Sequence, residues 1–428
     1  MDRSLRSRIA QDRIAPDMLS KERSNALRQS TDRILVSHAG NLPRPSHLNE
    51  LIEGGVSLEA AAGAEYHRRL PRAVQYVVEQ QVLLGVDIVN DGEFAKAGSY
   101  GGYMVDRVTG YSTVPEDPAR PPKRAGTSER DRREFPGYYD SGLWFADSGG
   151  PIRPGFATPG GMRSPNQRTP RVCTAAVNYS GQAAVQADVA HLKAAIQGKD
   201  VEGYIAALGP LSLGAGVHNE HYSSEEEYMF AVADACREEY KTITDAGLIV
   251  QVDEPEFCTS WTFYPRWDVE DLRIYLSFCV EVINHALAGL PEDLVRFHTC
   301  WGSGHRPHVN DIELKYIADL LIKINARQYS IEAANVRHEH EYHVWEDVKL
   351  PEGKMLMSGV ISHATDLVEH PELVAERLVR YANLVGRENV QTGTDCGMGS
   401  WVGHEEVVWA KLGSMVEGAR LASEKLWG

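Results

Sequence analysis

The chain has 428 residues, 43% hydrophobic and 24% charged, the balance of an ordinary soluble globular protein with room for one large domain or two or three smaller ones. Sixty acidic against 44 basic side chains leave a formal charge of −16, which opposes nonspecific binding to nucleic acid or an anionic membrane. No apolar run approaches the roughly 18–20 residues that cross a bilayer, and no secretory-signal core opens the sequence.

Residues 1–30 are arginine-rich, but Asp2, Asp12, Asp17 and Glu22 interrupt the run, which argues against a transit peptide. The expectation is a flexible or partner-contacting arm ahead of a single domain over 31–428. Strand-like runs then alternate with helical periodicity. Residues 33–38 (RILVSH) read as a first strand, 57–84 as helix, 85–94 as a second strand and 201–210 as a third. Residues 225–246 read as helix with Ser224 as N-cap, and 247–255 as the fourth strand. Then follow helix 269–288, strand 294–300, helix 312–324, strand 328–334, strand 354–361, helix 371–385, strand 389–397 and helix 405–426. Eight strand–helix units predict an α/β fold, a (β/α)8 TIM barrel. The alternative, an open doubly wound sheet, usually carries G-x-G-x-x-G after its first strand, and SHAGNLPRP does not supply it.

Residues 115–171 break the rhythm with dense Pro and Gly, yet keep Phe135, Tyr138, Tyr139, Trp144 and Phe145. The segment reads either as a long surface excursion or as a lid over the barrel mouth.

Polar side chains gather where the strands end, and barrel active sites sit on that face. These are Asp91 and Glu93 on strand two, Asp253, Glu254 and Glu256 on strand four, and His298 and Cys300 on strand five. Glu332 follows on strand six, His363 on strand seven, and Asp395 and Cys396 on strand eight. His298 and Cys300 are two apart, so both face the same way. With Glu332 and Cys396 they make an imidazole, two thiols and a carboxylate, a set that suits tetrahedral zinc. Ligands drawn from three strands point to a functional site, since structural zinc favours tight C-x-x-C knuckles. An incoming thiol could then bind the metal as thiolate and become nucleophilic. Cys173, Cys236, Cys258 and Cys279 read as buried small hydrophobes. Six scattered cysteines suggest no disulfide framework and favour a reducing, cytoplasmic compartment.

In order, HTC, VNDI, YSIEAAN, GVISHA and TDCGMG resemble the catalytic half of cobalamin-independent methionine synthase, with the likeness running from about residue 33 to 426. The resemblance implies a zinc-dependent methyl or alkyl transferase with His298, Cys300, Glu332 and Cys396 as metal ligands. It implies Asp253 (from VQVDEP) and Glu93 (from NDGEF) as carboxylates for the substrate amino group, and His363 as proton carrier. Small-molecule partners follow: an acceptor thiol such as homocysteine and an alkyl donor, with folate as one option. Neither nucleic acid nor membrane is expected, and a homo-oligomer is left open.

The departures widen the choice of substrate. The full methionine synthase has two barrels, and this chain has room for one. Gly40-Asn41 stands where the family has Gly-Ser. The loop after strand five is longer and adds His305 and His308, and NVRHEHEYHVWED adds His338, His340 and His343, expected as a polar rim. Single-barrel epoxyalkane–coenzyme M transferases resemble the chain in size, so thiol addition to an epoxide is the alternative reading. A non-catalytic zinc- or ligand-binding barrel is the third.

Overall fold

The computed structural model describes residues 28–49, 51, 63–96, 101–115, 117–125, 129–140, 171–302, 306–399 and 402–428. Eight parallel strands form one sheet: β1 (Leu35–Val36), β2 (Ile88–Asn90), β3 (Glu202–Leu208), β4 (Ile249–Asp253), β5 (Val295–Thr299), β6 (Gln328–Ile331), β7 (Met355–Ile361) and β8 (Val390–Thr394). From β2 to β8 every strand pairs with the next in sequence, and β1 pairs with β8. Between β1 and β2 the seam is closed by Asp87. Its N–H donates to the Val36 carbonyl at 2.9 Å, and its carboxylate accepts from the Val36 N–H at 2.9 Å. The expected TIM barrel is therefore the observed fold.

The covering helices include α1 (Gly63–Leu84), α2 (Gln182–Ile196), α3 (Glu225–Asp245), α4 (Val269–Leu287), α5 (Pro371–Val385) and α6 (Glu405–Trp427). Ser224 caps α3 by accepting from the Glu227 N–H, as its position suggests. The helix expected over 312–324 is shorter. It resolves into a 3-10 turn, Leu314–Tyr316, and Ala318–Leu321. Tertiary bonds override the local pattern: Glu341 accepts from the Leu314 N–H at 2.6 Å, and Arg273 holds the Tyr316 carbonyl at 2.5 Å. The main apolar core lies between strands and helices, while Ile88, Tyr204, Ile249, Leu294 and Met355 form a separate cluster.

Alternation along the strands sets layers inside the barrel. Ile249 and Leu294 sit low. Gln251 pairs in register with Arg296, and Arg296 with Gln328. Two residues further up, Asp253 lies opposite His298, and His298 opposite Ser330. The end of the barrel where the strands finish thus rests on a polar layer.

Residues 115–171 fall inside a hairpin. Val108–Thr113 pairs antiparallel with Arg171–Tyr179, and His218–Asn219 adds a parallel third strand. Gly110 sits at the register shift with φ +99°, where a Cβ would meet the Ala176 carbonyl. Part of the excursion lies on the barrel end. Arg124 donates to the Glu256 carboxylate and stacks 4.2 Å over Phe263. Arg130 lies 3.5 Å over Trp261 and donates to the carbonyls of Trp261, Tyr264 and Trp267. Trp144, Phe145 and the arm before Arg28 lie outside the described residues. Residues 28–30, counted with the arm, pack against the barrel: Gln391 donates to the Arg28 carbonyl at 2.6 Å and Ser30 to the Val390 carbonyl at 2.6 Å.

Candidate metal centre and active site

His298 is the penultimate residue of β5 and faces inward, and Cys300 follows two residues later on the same side. Cys396 comes from the turn after β8. One ligand atom from each of the three lies within 4.8 Å of the others. The two sulfurs are 3.9 Å apart. Tetrahedral zinc with Zn–S bonds of about 2.3 Å separates two thiolates by about 3.8 Å, so the pair already has the required spacing. The His298 Nδ1 meets Ser330 Oγ at 2.9 Å, which fixes the ring, and its buried Nε2 has no hydrogen-bond partner. A metal ligand needs this arrangement: one nitrogen held from behind, the other left for the ion. The residues present fit zinc.

Charge within the trio is polarised. A hydrogen bond from Cys300 holds the Cys396 thiol well below the usual range, with His298 adding to the effect. Sharing that proton with Cys396, together with burial, pushes Cys300 well up. The shifts favour the thiolate form at Cys396 over Cys300. The thiolate is the form that binds metal.

Glu332 is placed differently from its expected partners. It groups with His363 and Asp395, whose ligand atoms also lie within 4.8 Å of one another. One Glu332 oxygen accepts from the Trp301 N–H at 2.8 Å and the other from Asn335 Nδ2 at 2.7 Å. Trp301 directly follows Cys300, so the two clusters adjoin. Burial raises the Glu332 carboxyl well above its usual value. Asp395 accepts from the N–H groups of Ala333 and Ala334 at 2.7 and 2.6 Å. His363 is fully buried with neither ring nitrogen hydrogen-bonded, and burial lowers its proton affinity.

On the opposite side, Glu93 has φ 57°, the left-handed region, held by its N–H donating to Asp91 Oδ1 at 2.9 Å. Burial pushes its carboxyl up to about 8, although Lys96 draws it down. Burial raises Asp253 as well, against the pull of His298. Burial thus disfavours the charged form of both carboxyls. Glu254 and Glu256, also expected at the site, have other work. Glu254 caps the Leu211 and Ser212 N–H groups at 2.8 and 3.0 Å, and Glu256 pairs with Arg124.

The histidines expected as a rim divide. His340 and His343 are exposed. His338 is buried, stacked 4.0 Å from Trp301, with Nδ1 2.8 Å from Glu341 and Nε2 3.3 Å from Asp311. Burial alone would discharge it, but the two carboxylates raise it to about 10. His308 is half-buried with Nδ1 2.6 Å from Asp311, whereas His305 lies outside the described residues. Asn41, which replaces a serine of the family pattern, accepts from the Gly399 N–H at 3.1 Å and so ties β1 to the turn bearing Cys396.

Residues 156–421 match the family model described as cobalamin-independent synthase, catalytic domain. The chain belongs to this family. The match includes Asp253, His298, Cys300, Glu332, His363 and Cys396 and leaves out Asn41 and Glu93. A methionine synthase of Saccharolobus islandicus is 28% identical over 225 residues, which are 52% of this chain and 59% of that protein. One of Thermococcus kodakarensis is 26% identical over 225 residues. The alignments span less than two thirds of these curated relatives. The B12-independent methionine synthase of Shewanella sp. W3-18-1 superposes with a TM-score of 0.64 at 21% identity, over 92% of this chain and 99% of that one, and so has the same fold. Ser330, Gln251 and Arg296 were not singled out from sequence. A search of positions two before each candidate finds all three, beneath Glu332, Asp253 and His298.

Proposed function

We propose that this cobalamin-independent synthase family member is a zinc-dependent methyl or alkyl transferase acting on an acceptor thiol. The observation that carries the reading is the trio of His298 Nε2 and the two sulfurs 3.9 Å apart, with the ring nitrogen buried and unbonded. His298, Cys300 and Cys396 would hold the ion, with Glu332, in the adjoining cluster, a carboxylate for a fourth position. Zinc, when bound, keeps an acceptor sulfur ionised near neutral pH.

The chain's own groups supply the rest. Glu93 and Asp253 bind the acceptor's ammonium and orient its sulfur toward the donor carbon. His363, neutral at rest, takes the proton that the thiol releases. The sulfur forms a bond to the alkyl carbon as the donor's bond to that carbon breaks. His363 then returns its proton to the leaving group. The described part of the excursion is held by Arg124 and Arg130 against the helical segment that follows β4.

Homocysteine with methyltetrahydrofolate is the substrate pair this reading favours. A second reading keeps the thiol and replaces the donor with an epoxide. It rests on Asn41, whose side chain is committed to Gly399 where the family pattern has serine. Zinc-loaded protein incubated with homocysteine and methyltetrahydrofolate, and separately with simple thiols and epoxides, separates the two by the thioether found. Thioether in neither arm refutes both.

A further inference from the structure

Arg296 is fully buried inside the barrel, two residues below His298, and no carboxylate of the described residues forms an ion pair with it. Its Nε donates to Gln328 Oε1 at 2.6 Å and its Nη1 to Gln251 Oε1 at 3.2 Å, with the guanidinium 4.7 Å over the Tyr204 ring. A guanidinium without a facing carboxylate is costly to bury, and an aliphatic layer would fill a barrel interior more cheaply. Its use lies in what it does to its neighbours.

Arginine only donates hydrogen bonds. Each glutamine touching it must therefore offer its oxygen to it and point its NH2 away, which fixes an otherwise ambiguous amide. Gln251 consequently aims its NH2 at Asp253, donating to Oδ1 at 2.8 Å. Gln328 is forced likewise and donates to Gln391 Oε1 at 2.7 Å, and Gln391 passes the direction on to the Arg28 carbonyl. Arg296 is the source of a hydrogen-bond chain with one sense, and one branch ends on the carboxylate at the mouth.

We infer that Arg296 and Gln251 are positioning residues for Asp253: they hold its carboxylate in place, from below, for the ammonium group of the acceptor thiol. The inference deepens the function proposed above and rests on its assignment of Asp253 to an amine. Without Arg296 the Gln251 amide is free to turn its oxygen toward Asp253. The carboxylate then loses a donor and gains a repelling dipole.

The test compares homocysteine with 4-mercaptobutyrate, the same thiol acid without its amino group, by calorimetric titration of the zinc-loaded protein. The variants are Gln251→Met, Arg296→Met and Asp253→Asn. The wild type is expected to prefer homocysteine, and Asp253→Asn to abolish the preference. Gln251→Met and Arg296→Met should cut it about tenfold through homocysteine alone, leaving 4-mercaptobutyrate affinity unchanged. A general packing defect would weaken both ligands together. Should Arg296→Met fail to fold, Gln251→Met decides. If Asp253→Asn removes the preference while a folded Gln251→Met keeps it, or if Gln251→Met weakens both ligands equally, the inference is overturned and the amine assignment stands. If Asp253→Asn leaves the preference intact, the amine assignment itself is overturned and the inference goes with it.

Discussion

Cys300 and Cys396, 96 positions apart in sequence, bring their sulfurs to 3.9 Å because β5 and β8 deliver both to one end of a closed barrel. Thiols at this spacing match the separation that two thiolates need around one tetrahedral zinc ion. Replacing either by serine removes a soft ligand without changing the fold around it. Zinc content measured on purified protein should fall from about one ion per chain to near none, with transfer activity down by at least two orders of magnitude. A serine variant that keeps its zinc and full turnover removes the centre proposed here.

Ser330 acts behind His298. Its hydroxyl lies 2.9 Å from Nδ1 and leaves Nε2 facing the sulfurs. Ser330→Ala should leave the ligands in place but release the ring. The expected result is a ten- to hundredfold loss in zinc affinity, read by competition with a chromogenic chelator, and a smaller loss at saturating zinc.

His338 carries a charge that the fold maintains. Asp311 and Glu341 outweigh burial and raise its folded value to about 10, against about 6.5 when unfolded. A raised value contributes stability that is fully present below about pH 6.5 and is lost as pH rises toward about 10. Chemical denaturation of wild type and His338→Gln across this window should show their gap narrowing as pH rises. A gap that stays constant or widens contradicts the charged assignment. Asp311 is held below the usual carboxylate range by His308 and His338, so its contribution persists through neutral pH and fails only in strong acid.

The excursion reaches the loop after β5 through Asp131, a buried carboxylate. It accepts from the N–H groups of His308 and Asn310 at 3.1 and 3.2 Å and from Asn310 Nδ2 at 3.1 Å. Asp131→Ala strands these donors, at a cost of about 1–3 kcal/mol. Hydrogen exchange at Asn310 should quicken markedly while the amides of β5 keep their protection. If exchange at Asn310 is unchanged, the loop holds its shape without the excursion.

How far the site could be read from sequence depends on which interactions were local. Strand ends show themselves through apolar runs that stop at charged residues, and a closed barrel turns a list of strand ends into a neighbourhood. His298, Cys300 and Cys396 were legible for that reason. The grouping of Glu332 with His363 and Asp395 was not, because it depends on the backbone bonds from Ala333, Ala334 and Trp301. His338 looked like a rim residue because its sequence neighbours are polar. Its burial comes from Trp301 and Asp311, residues about thirty positions away. The excursion hid its hairpin because Val108–Thr113 and Arg171–Tyr179 are separated by the whole Pro- and Gly-rich stretch.

Gly359 offers a test at the base of the Glu332 cluster. It lies on β7 between Ala333 and Asp395, and a Cβ built there collides with Asp395 Oδ1 and stands 3.0 Å from the Ala333 nitrogen. Neither neighbour yields easily. Asp395 is held by two backbone N–H groups, and Ala333 belongs to the strand end that carries Glu332. Gly359→Ala should therefore push the Asp395 carboxylate off the Ala333 and Ala334 amides and rotate Glu332 with them. The expected cost is about 1–3 kcal/mol of stability, the usual range for overpacking a buried site. Activity should fall further than that loss of folded protein explains, because the Glu332 carboxylate and His363 move relative to the thiols. Denaturant unfolding and transfer rate measured on the same preparation separate the two effects, and a Gly359→Ala protein as active as wild type would place Asp395 outside the working parts of the site.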